Sequence, residues 1–540
     1  MTFKRESVHH AVFLFGMAVM VVGLAVSLFL ISIGGMILAA NWLAEAGFAS
    51  KMRRLKSNTP ALLLLGLFVL HLIWLWNTQN FDYAFKDIRI KLPLLFLPII
   101  LGSQKAMNRK VLFQLLWVLV AALILGTIMS IVHYFTAHEI GVDNIREIIF
   151  FSSPIRFSLL LVLAIAFAFY NFRTKRIPWW GFGVIFLWLI GFMVFLQSVT
   201  GLLMLLAITA VLLIYYGWVH VAKPTGWALV VIPIFFILGL SAFVVGGYFQ
   251  FLNPANSPEN TAPLEEFSSG GEAYVHRPEN TEIQNGHYIY RYMAFGELER
   301  GWNRLSEMRF GGEDQRGQEL RYTLVRYMAS MGLRKDSVGL TELTAQDVDR
   351  IEKGYTSANP PENPMVRRLQ GIYYEINAYF NGASAQGSSL IQRIVYLQTG
   401  WGAASQNWLL GVGTGDVNDV MLSQYDSDGS SLDMDHRRRA HNQYLTFLIS
   451  FGIIGAGYFL FLNFYSIWLV IKRANFMGIA FVFIAALSFL AEDTLETQVG
   501  ATFYAFFFAV LLCMKTTDSA GEQFRFDELW RNPVDSRLHK

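Results

Sequence analysis

Charge is scarce in this chain. Of its 540 residues only 15% are Asp, Glu, Lys or Arg, while 54% are hydrophobic, and the mean hydropathy is +0.39. Soluble domains carry about a quarter charged residues, so an ordinary water-soluble fold is excluded. Cysteine is almost absent: Cys513 stands alone, so no intrachain disulfide staples the loops. No small-residue cleavage site follows the first apolar stretch, which also runs too long for a signal peptide, and no cleaved leader is expected. No internal repeat is visible. What remains is a succession of apolar runs within residues 11–245 and 444–514, most of them long enough to cross hydrocarbon. The chain reads as an all-α polytopic membrane protein.

The run over residues 11–43 is too long for one helix and splits near Ser27 into a hairpin. Further spans fit residues 60–76, 89–101, 111–135, 157–172, 178–197, 200–218, 226–247, 441–470, 476–491 and 500–514. That makes about twelve transmembrane helices. The connections at 51–56, 105–110, 173–176, Lys223, 472–473 and Lys515 are basic without acidic partners. Those of the other side carry Asp82, Asp87, Glu139, Asp143, Glu147, Glu492, Asp493 and Glu496. With both termini in the cytoplasm, every basic connection falls on the cytoplasmic face. Four regions follow: a transmembrane bundle at 1–247, a large extracytoplasmic loop domain at 248–440, C-terminal transmembrane helices at 441–514 and a cytoplasmic tail at 515–540.

An insertion of on the order of 190 residues is large enough for a small domain. Its start, 253–285, is rich in Pro, Ser, Glu and Gly and reads as a mobile surface segment. Helical spacing of apolar residues follows in YRYMAFGELERGWNRL, RGQELRYTLVRYMASMGL, MVRRLQGIYYEINAYF and SSLIQRIVYLQTGW. In the last of these Leu390, Ile394, Leu397 and Trp401 share one face and Arg393 points elsewhere. Thr344-Ala345-Gln346-Asp347 predicts a capped short helix ended by Gly354. GVGTGD at 411–416 lacks the Lys and Ser/Thr of a phosphate-cradling loop and reads as a tight turn. Asp426, Asp428, Asp433 and Asp435 have carboxylate-ligand spacing, which solvated turns share.

The strongest chemical signal is RRRAHN, where Arg437, Arg438 and Arg439 precede His441 and Asn442 at the mouth of a long apolar helix. Charge is costly inside a bilayer, so this strip lies at the membrane surface and suits an anionic ligand. A positive flank usually collects in the cytoplasm, and an extracytoplasmic one calls for another reason. The helix N-terminus adds unpaired N–H groups and partial positive charge. A neutral imidazole beside a lipid-linked phosphate or pyrophosphate is placed to take a proton.

AHNQYLTFLISFGIIGAGYFLF resembles the signature of the bacterial O-antigen ligase and polymerase superfamily, in which His-Asn opens a helix after a large periplasmic loop. SSLIQRIVYLQTGWGAASQNWLLGVGTGD is similar to the family's arginine, aromatic and Gly-Val-Gly pattern. IRIKLPLLFLPIIL resembles its basic, proline-containing span, and EDTLETQVGATFYAFFFA the C-terminal helix pair of the ligase branch. The family often has Ser-Arg before a mid-chain helix, where this chain has Val199-Thr200; Arg156 on the same face is a substitute. The resemblance implies a GT-C-like, metal-independent, inverting glycosyltransferase of the bacterial inner membrane. It would pass a glycan from undecaprenyl diphosphate to a hydroxyl of lipid A–core on the periplasmic face. His441 and Arg393 would be catalytic, with Arg437, Arg438, Arg439, Asn442, Arg89, Lys91 and Arg156 holding substrate. No metal, cofactor or nucleic-acid partner is expected.

Polysaccharide polymerases and protein O-oligosaccharyltransferases share these motifs and the donor. A lipid-glycan flippase would place arginines within a central cavity, and a secondary transporter would show two similar halves, against the uneven loops here. An envelope scaffold explains the loop but not the cluster at His441.

Overall fold

The structure is a computed structural model that describes residues 2–136, 148–220, 224–254, 263–361, 363–386, 388–518, 523, 524 and 526. Glu139, Asp143, Glu147, Lys223 and most of the expected C-terminal tail lie outside the described residues. The chain divides into two compact units. One comprises Met1–Ile234, Tyr396–Ser430 and Arg437–Lys540, the other Phe235–Val395 and Ser431–His436.

In the first unit the apolar runs become α1 (Thr2–Val26), α2 (Leu28–Ala44), α3 (Phe48–Lys56), α4 (Thr59–Ile73), α5 (Phe81–Gly102), α6 (Arg109–Thr136), α7 (Pro154–Arg173), α8 (Trp179–Phe195) and α9 (Val199–Val219). Helix α10 (Pro224–Phe251) runs from this unit into the next. Polar side chains set many of the starts, because the first N–H groups of a helix have no partner within it. Ser27 caps α2 where the expected hairpin breaks, and Asn58, Asn80 and Ser198 cap α4, α5 and α9.

Each of the segments read as spans is helical, but they differ in membrane-crossing capacity. Among the described residues seven helices are long and apolar enough to cross a membrane, or up to eight if α2 and α3, bent by 116°, count as one span. Helix α5 is interrupted by Lys86, Asp87, Arg89 and Lys91 near its start and by Pro93 and Pro98 further on. The result is a mostly helical, multi-pass membrane protein.

The second unit begins with the latter part of α10. Ile283–Gln284 and His287–Tyr288 form an antiparallel two-residue ladder, closed by Asn285 and Gly286 with φ of 47° and 86°, the backbone a tight hairpin demands. Next come α11 (Phe295–Leu305), α12 (Leu320–Ser330), α13 (Ser337–Thr341), α14 (Ala345–Glu352) and α15 (Pro364–Phe380). Trp302, Leu298, Leu324, Tyr327 and Met328 form a dry core. Thr344 and Asp347 make the expected reciprocal capping box, and Gly354 follows at φ 77°. Residues 263–285 are more tied down than their composition predicts. Ser268 donates to the buried Glu297, Tyr274 to the buried Asp336, and Val275 pairs with Met293.

Helix α16 (Ser389–Gln406) starts in the second unit and ends in the first. It buries Ile391, Val395, Tyr396 and Thr399, whereas Leu397 and Trp401, expected to share a face with Leu390 and Ile394, are exposed. The first unit is completed by α17 (Val417–Ser427), α18 (Gln443–Lys472), α19 (Phe476–Ala491) and α20 (Gln498–Phe508). Helix α20 is buried on every side over residues 499–508 and forms the centre of the bundle with α5. At one end of this unit Met107–Asn108 pairs with Thr516–Thr517, and Asn58 donates to the carbonyl of Cys513. The loop after α19 meets α5, where Glu496 pairs with Lys91.

Candidate functional site

The loop at 411–416 sets the frame. Gly413 has φ 104°, and a Cβ there would stand 2.6 Å from the Asn77 carbonyl oxygen. Val412 N donates to Ile449 O and Gly413 N to Ser450 O, both at 2.9 Å. These bonds meet the break in α18 at Gly452, whose φ is 60° and ψ −162°. Asp416 accepts from Gln79 N at 2.9 Å and Asn80 N at 2.8 Å. The loop is therefore a tight turn, as its sequence predicts, and it ties the start of α5 to the first half of α18.

At the head of α18, Asn442 accepts from Leu445 N at 3.0 Å and donates to Leu490 O at 3.1 Å. It is a helix cap first. His441 sits just before it at φ 46°, a backbone state that costs energy and persists only where its surroundings hold it. Asp493 supplies the hold. Its carboxylate accepts from His441 N at 3.1 Å and from Thr446 Oγ1 at 2.6 Å. The imidazole stacks on Tyr396 with centroids 5.3 Å apart and planes at 22°. Nδ1 is buried and 3.5 Å from Glu492 Oε2, while 31% of the side chain stays exposed.

Beside it lies a buried ionic cluster. Lys91 Nζ is 2.6 Å from Asp87 Oδ1 and 2.8 Å from Glu496 Oε2, and its side chain has no exposed surface. Arg439 Nη1 meets the same Glu496 oxygen at 2.6 Å, and its Nε donates to Asn418 at 2.7 Å. Gln443 donates to Glu496 Oε1 at 2.9 Å and accepts from Leu495 N at 2.7 Å. Burial alone would raise the Glu496 carboxyl, but Lys91 and Arg439 outweigh it and hold it well below the usual carboxylate range. Burial pushes Asp493 up, and the neighbouring Glu496 charge adds to this. Burial would ease the proton off Arg439, yet Glu496 fixes it more firmly than usual.

Two guanidinium nitrogens near this cluster, Arg439 Nη2 and Arg156 Nε, are buried with no hydrogen-bond acceptor among the described residues. Arg156, in the first turn of α7, feels Glu492 and Asp493 as its acidic neighbours. The structure therefore gathers His441, Asn442, Arg439, Lys91 and Arg156 around the segment 492–496. Arg437 pairs with Asp426 at 2.5 Å, and the exposed Arg438 gives its carbonyl to Tyr425 Oη at 2.8 Å. Arg89 is exposed and, with Lys86, borders an apolar groove of about 600 Å3 between α2 and α5, lined further by Gly35, Met36 and Phe96. Arg393, half-buried, belongs to the second unit, on α16 one turn before Tyr396.

Asp426 and Asp428 are engaged by Arg437 and Gln424, and Asp433 and Asp435 are exposed. Among the described residues no three His, Cys, Asp or Glu side chains converge as a metal ion would require. Sequence reasoning missed Asp87, Tyr396, Glu492, Asp493 and Glu496 as parts of the site. The acidic residues carried a signal, since they fall in connections read as facing the same side as the arginine strip.

Residues 348–460 match the family model described as O-Antigen ligase. That stretch carries Arg393, the three arginines, His441 and Asn442, and it supports the O-antigen ligase and polymerase superfamily. No curated protein matches the chain.

Proposed function

We propose, from the O-antigen ligase domain that this chain carries, that it is an inner-membrane glycosyltransferase working on the periplasmic face. It moves a glycan from undecaprenyl diphosphate to a hydroxyl of lipid A–core. One observation carries the reading: two buried guanidinium N–H groups without acceptors among the described residues lie in the same cluster as a histidine held at the head of α18. Buried polar groups are nearly always satisfied, so a pair of unsatisfied guanidinium donors at one place calls for an acceptor. A diphosphate is the chemically matched acceptor for guanidinium forks.

In the reaction His441 Nε2 takes the proton from the acceptor hydroxyl as its oxygen attacks the anomeric carbon. The carbon–oxygen bond to the diphosphate breaks with inversion, and undecaprenyl diphosphate leaves with the electron pair. Glu492, facing Nδ1, steadies the positive charge that the imidazole gains; a 3.5 Å separation is long for a hydrogen bond and shortens once the ring is charged. Arg439 and Arg156 meet the diphosphate, joined by Arg437, Arg438, Arg393 and Lys91, and their charge replaces a metal ion. Arg89 and Lys86 stand at the polar end of the α2–α5 groove, which takes the polyprenyl tail. Asp493 positions His441 through its backbone.

A flippase would carry its cations along a central path through the membrane, whereas here Arg439 and Arg156 lie where α18 and α7 begin. The deciding experiment incubates purified protein with lipid-diphosphate glycan and acceptor. Acceptor-dependent release of undecaprenyl diphosphate supports the transferase, and translocation without release overturns it. Product analysis with lipid A–core, a second lipid-linked repeat or a protein as acceptor separates ligase from its relatives.

A further inference from the structure

A second apolar pocket lies at the opposite end of the first unit, away from His441. An apolar slot of about 560 Å3 runs between α7, α8, α9 and the starts of α10 and α19, within the range of small-molecule pockets. Its walls include Ala166, Phe169, Phe186, Ile208 and Leu212. The lining on α7 extends from Val162 to Arg173, a rise of about 16 Å at 1.5 Å per residue. That equals roughly half of a 30 Å hydrocarbon core, so the slot is one leaflet deep.

The polar groups are all at one end or internally satisfied. Thr209 donates to Leu205 O at 2.7 Å, and Tyr216 stacks on His220. Arg173 is exposed, and no hydrogen bond or ion pair engages its guanidinium among the described residues. The two connections at that end read Arg-Thr-Lys-Arg-Ile-Pro and Lys-Arg-Ala-Asn, with no acidic residue in either. An apolar slot one leaflet deep, with a cation at its mouth and no anion near it in sequence, has the polarity of a single-headed anionic amphiphile.

We propose that this slot binds one acyl chain of an anionic phospholipid from the leaflet on the basic side, with the headgroup phosphate on Arg173. The bound lipid wedges α7, α8 and α9 together. This site is independent of the glycan-transfer reading.

The test uses the full-length protein in non-ionic detergent, titrated with phosphatidylglycerol, phosphatidylcholine or glycerol 1-phosphate. Native mass spectrometry counts the bound lipid, and a thermal scan reports stabilisation. Phosphatidylglycerol is expected to be retained and to stabilise, and phosphatidylcholine to bind about fivefold more weakly (~1 kcal/mol, one basic residue at an anionic surface). Arg173→Gln removes that preference, and Thr209→Phe, at an exposed position on the slot wall, abolishes retention by filling it. The lipid-free melting temperatures of both variants control for folding. Equal binding of the two phospholipids by the wild type, or undiminished phosphatidylglycerol binding by Thr209→Phe, overturns the proposal. So does displacement of the lipid by glycerol 1-phosphate at equal concentration, which would mean that the headgroup alone supplies the affinity.

Discussion

Glu496 is the pivot of the buried cluster, and its replacement by glutamine tests whether the cluster is an accounting of charge or a set of separate contacts. One of its oxygens takes both Lys91, at 2.8 Å, and Arg439, at 2.6 Å. The two cations are balanced by Asp87 and Glu496, so the four groups sum to zero. Glu496→Gln leaves two buried cations against one anion, and an uncompensated buried charge costs about 3–5 kcal/mol. Lys91→Met errs in the other direction and is expected to cost a similar amount. The double variant leaves Arg439 against Asp87 and restores neutrality, so it should recover about 2 kcal/mol or more of the summed losses. Thermal scans of the four proteins in one detergent measure this cycle. The linkage with pH has a definite sign. Because Glu496 is held below the ordinary carboxylate range, its stabilisation is complete above about pH 4.3 and fades as pH falls towards its depressed value. The wild type's advantage over Glu496→Gln should therefore shrink in acid. Losses that simply add in the double variant would refute the reasoning.

Four further outcomes are expected. His441→Ala should lower glycan transfer by about 10²–10⁴-fold with little change in melting temperature, and retention of more than a tenth of wild-type turnover would remove its role as base. Arg393→Lys should be impaired nearly as much as Arg393→Ala in the same assay, because lysine cannot copy a two-pronged grip on phosphate; full activity in the lysine variant would leave only a surface-charge role. Transfer should survive excess chelator, and Asp433→Asn with Asp435→Asn should cost little, whereas loss restored by magnesium, manganese or calcium would reveal a metal requirement. Gly413→Ala should destabilise the protein by more than about 1 kcal/mol in a thermal scan, since the residue combines φ 104° with a carbonyl 2.6 Å from the new Cβ.

Much of the helical layout was legible because apolar length and capping residues are local properties. Ser27, Thr344, Asp347 and Gly354 mark their boundaries by their own chemistry. Which apolar helix faces protein and which faces lipid was not legible. Helices α10 and α20 are both apolar on all sides, yet α10 is exposed along most of its length while α20 is enclosed at residues 499–508. A sequence that is apolar all round satisfies either environment. On α16 the apolar spacing likewise leaves the packed face open, and Tyr396 and Thr399 turn inward while Trp401 turns outward.

The cationic half of the candidate site was readable because three consecutive arginines before His-Asn are hard to explain otherwise. Its acidic half was not, because Asp87, Asp493 and Glu496 look like loop charges until the chain brings them to Lys91 and Arg439. Their presence changes how an anion would be received. Arginines left bare in a low-dielectric site would be costly, so carboxylates hold them in place and set their direction. In the proposed reaction an arriving diphosphate would compete with Glu496 for the same donors, while Arg439 Nη2 and Arg156 Nε, without acceptors among the described residues, would offer additional ones. Were those guanidinium groups to turn to the phosphate, Glu496 would still hold Lys91 and Gln443, so the cluster would stay anchored while part of its positive charge faced the leaving group. On the proposed function, the carboxylates would thereby keep the arginines ordered before the donor binds and reduce the reorganisation required when the sugar–phosphate bond breaks.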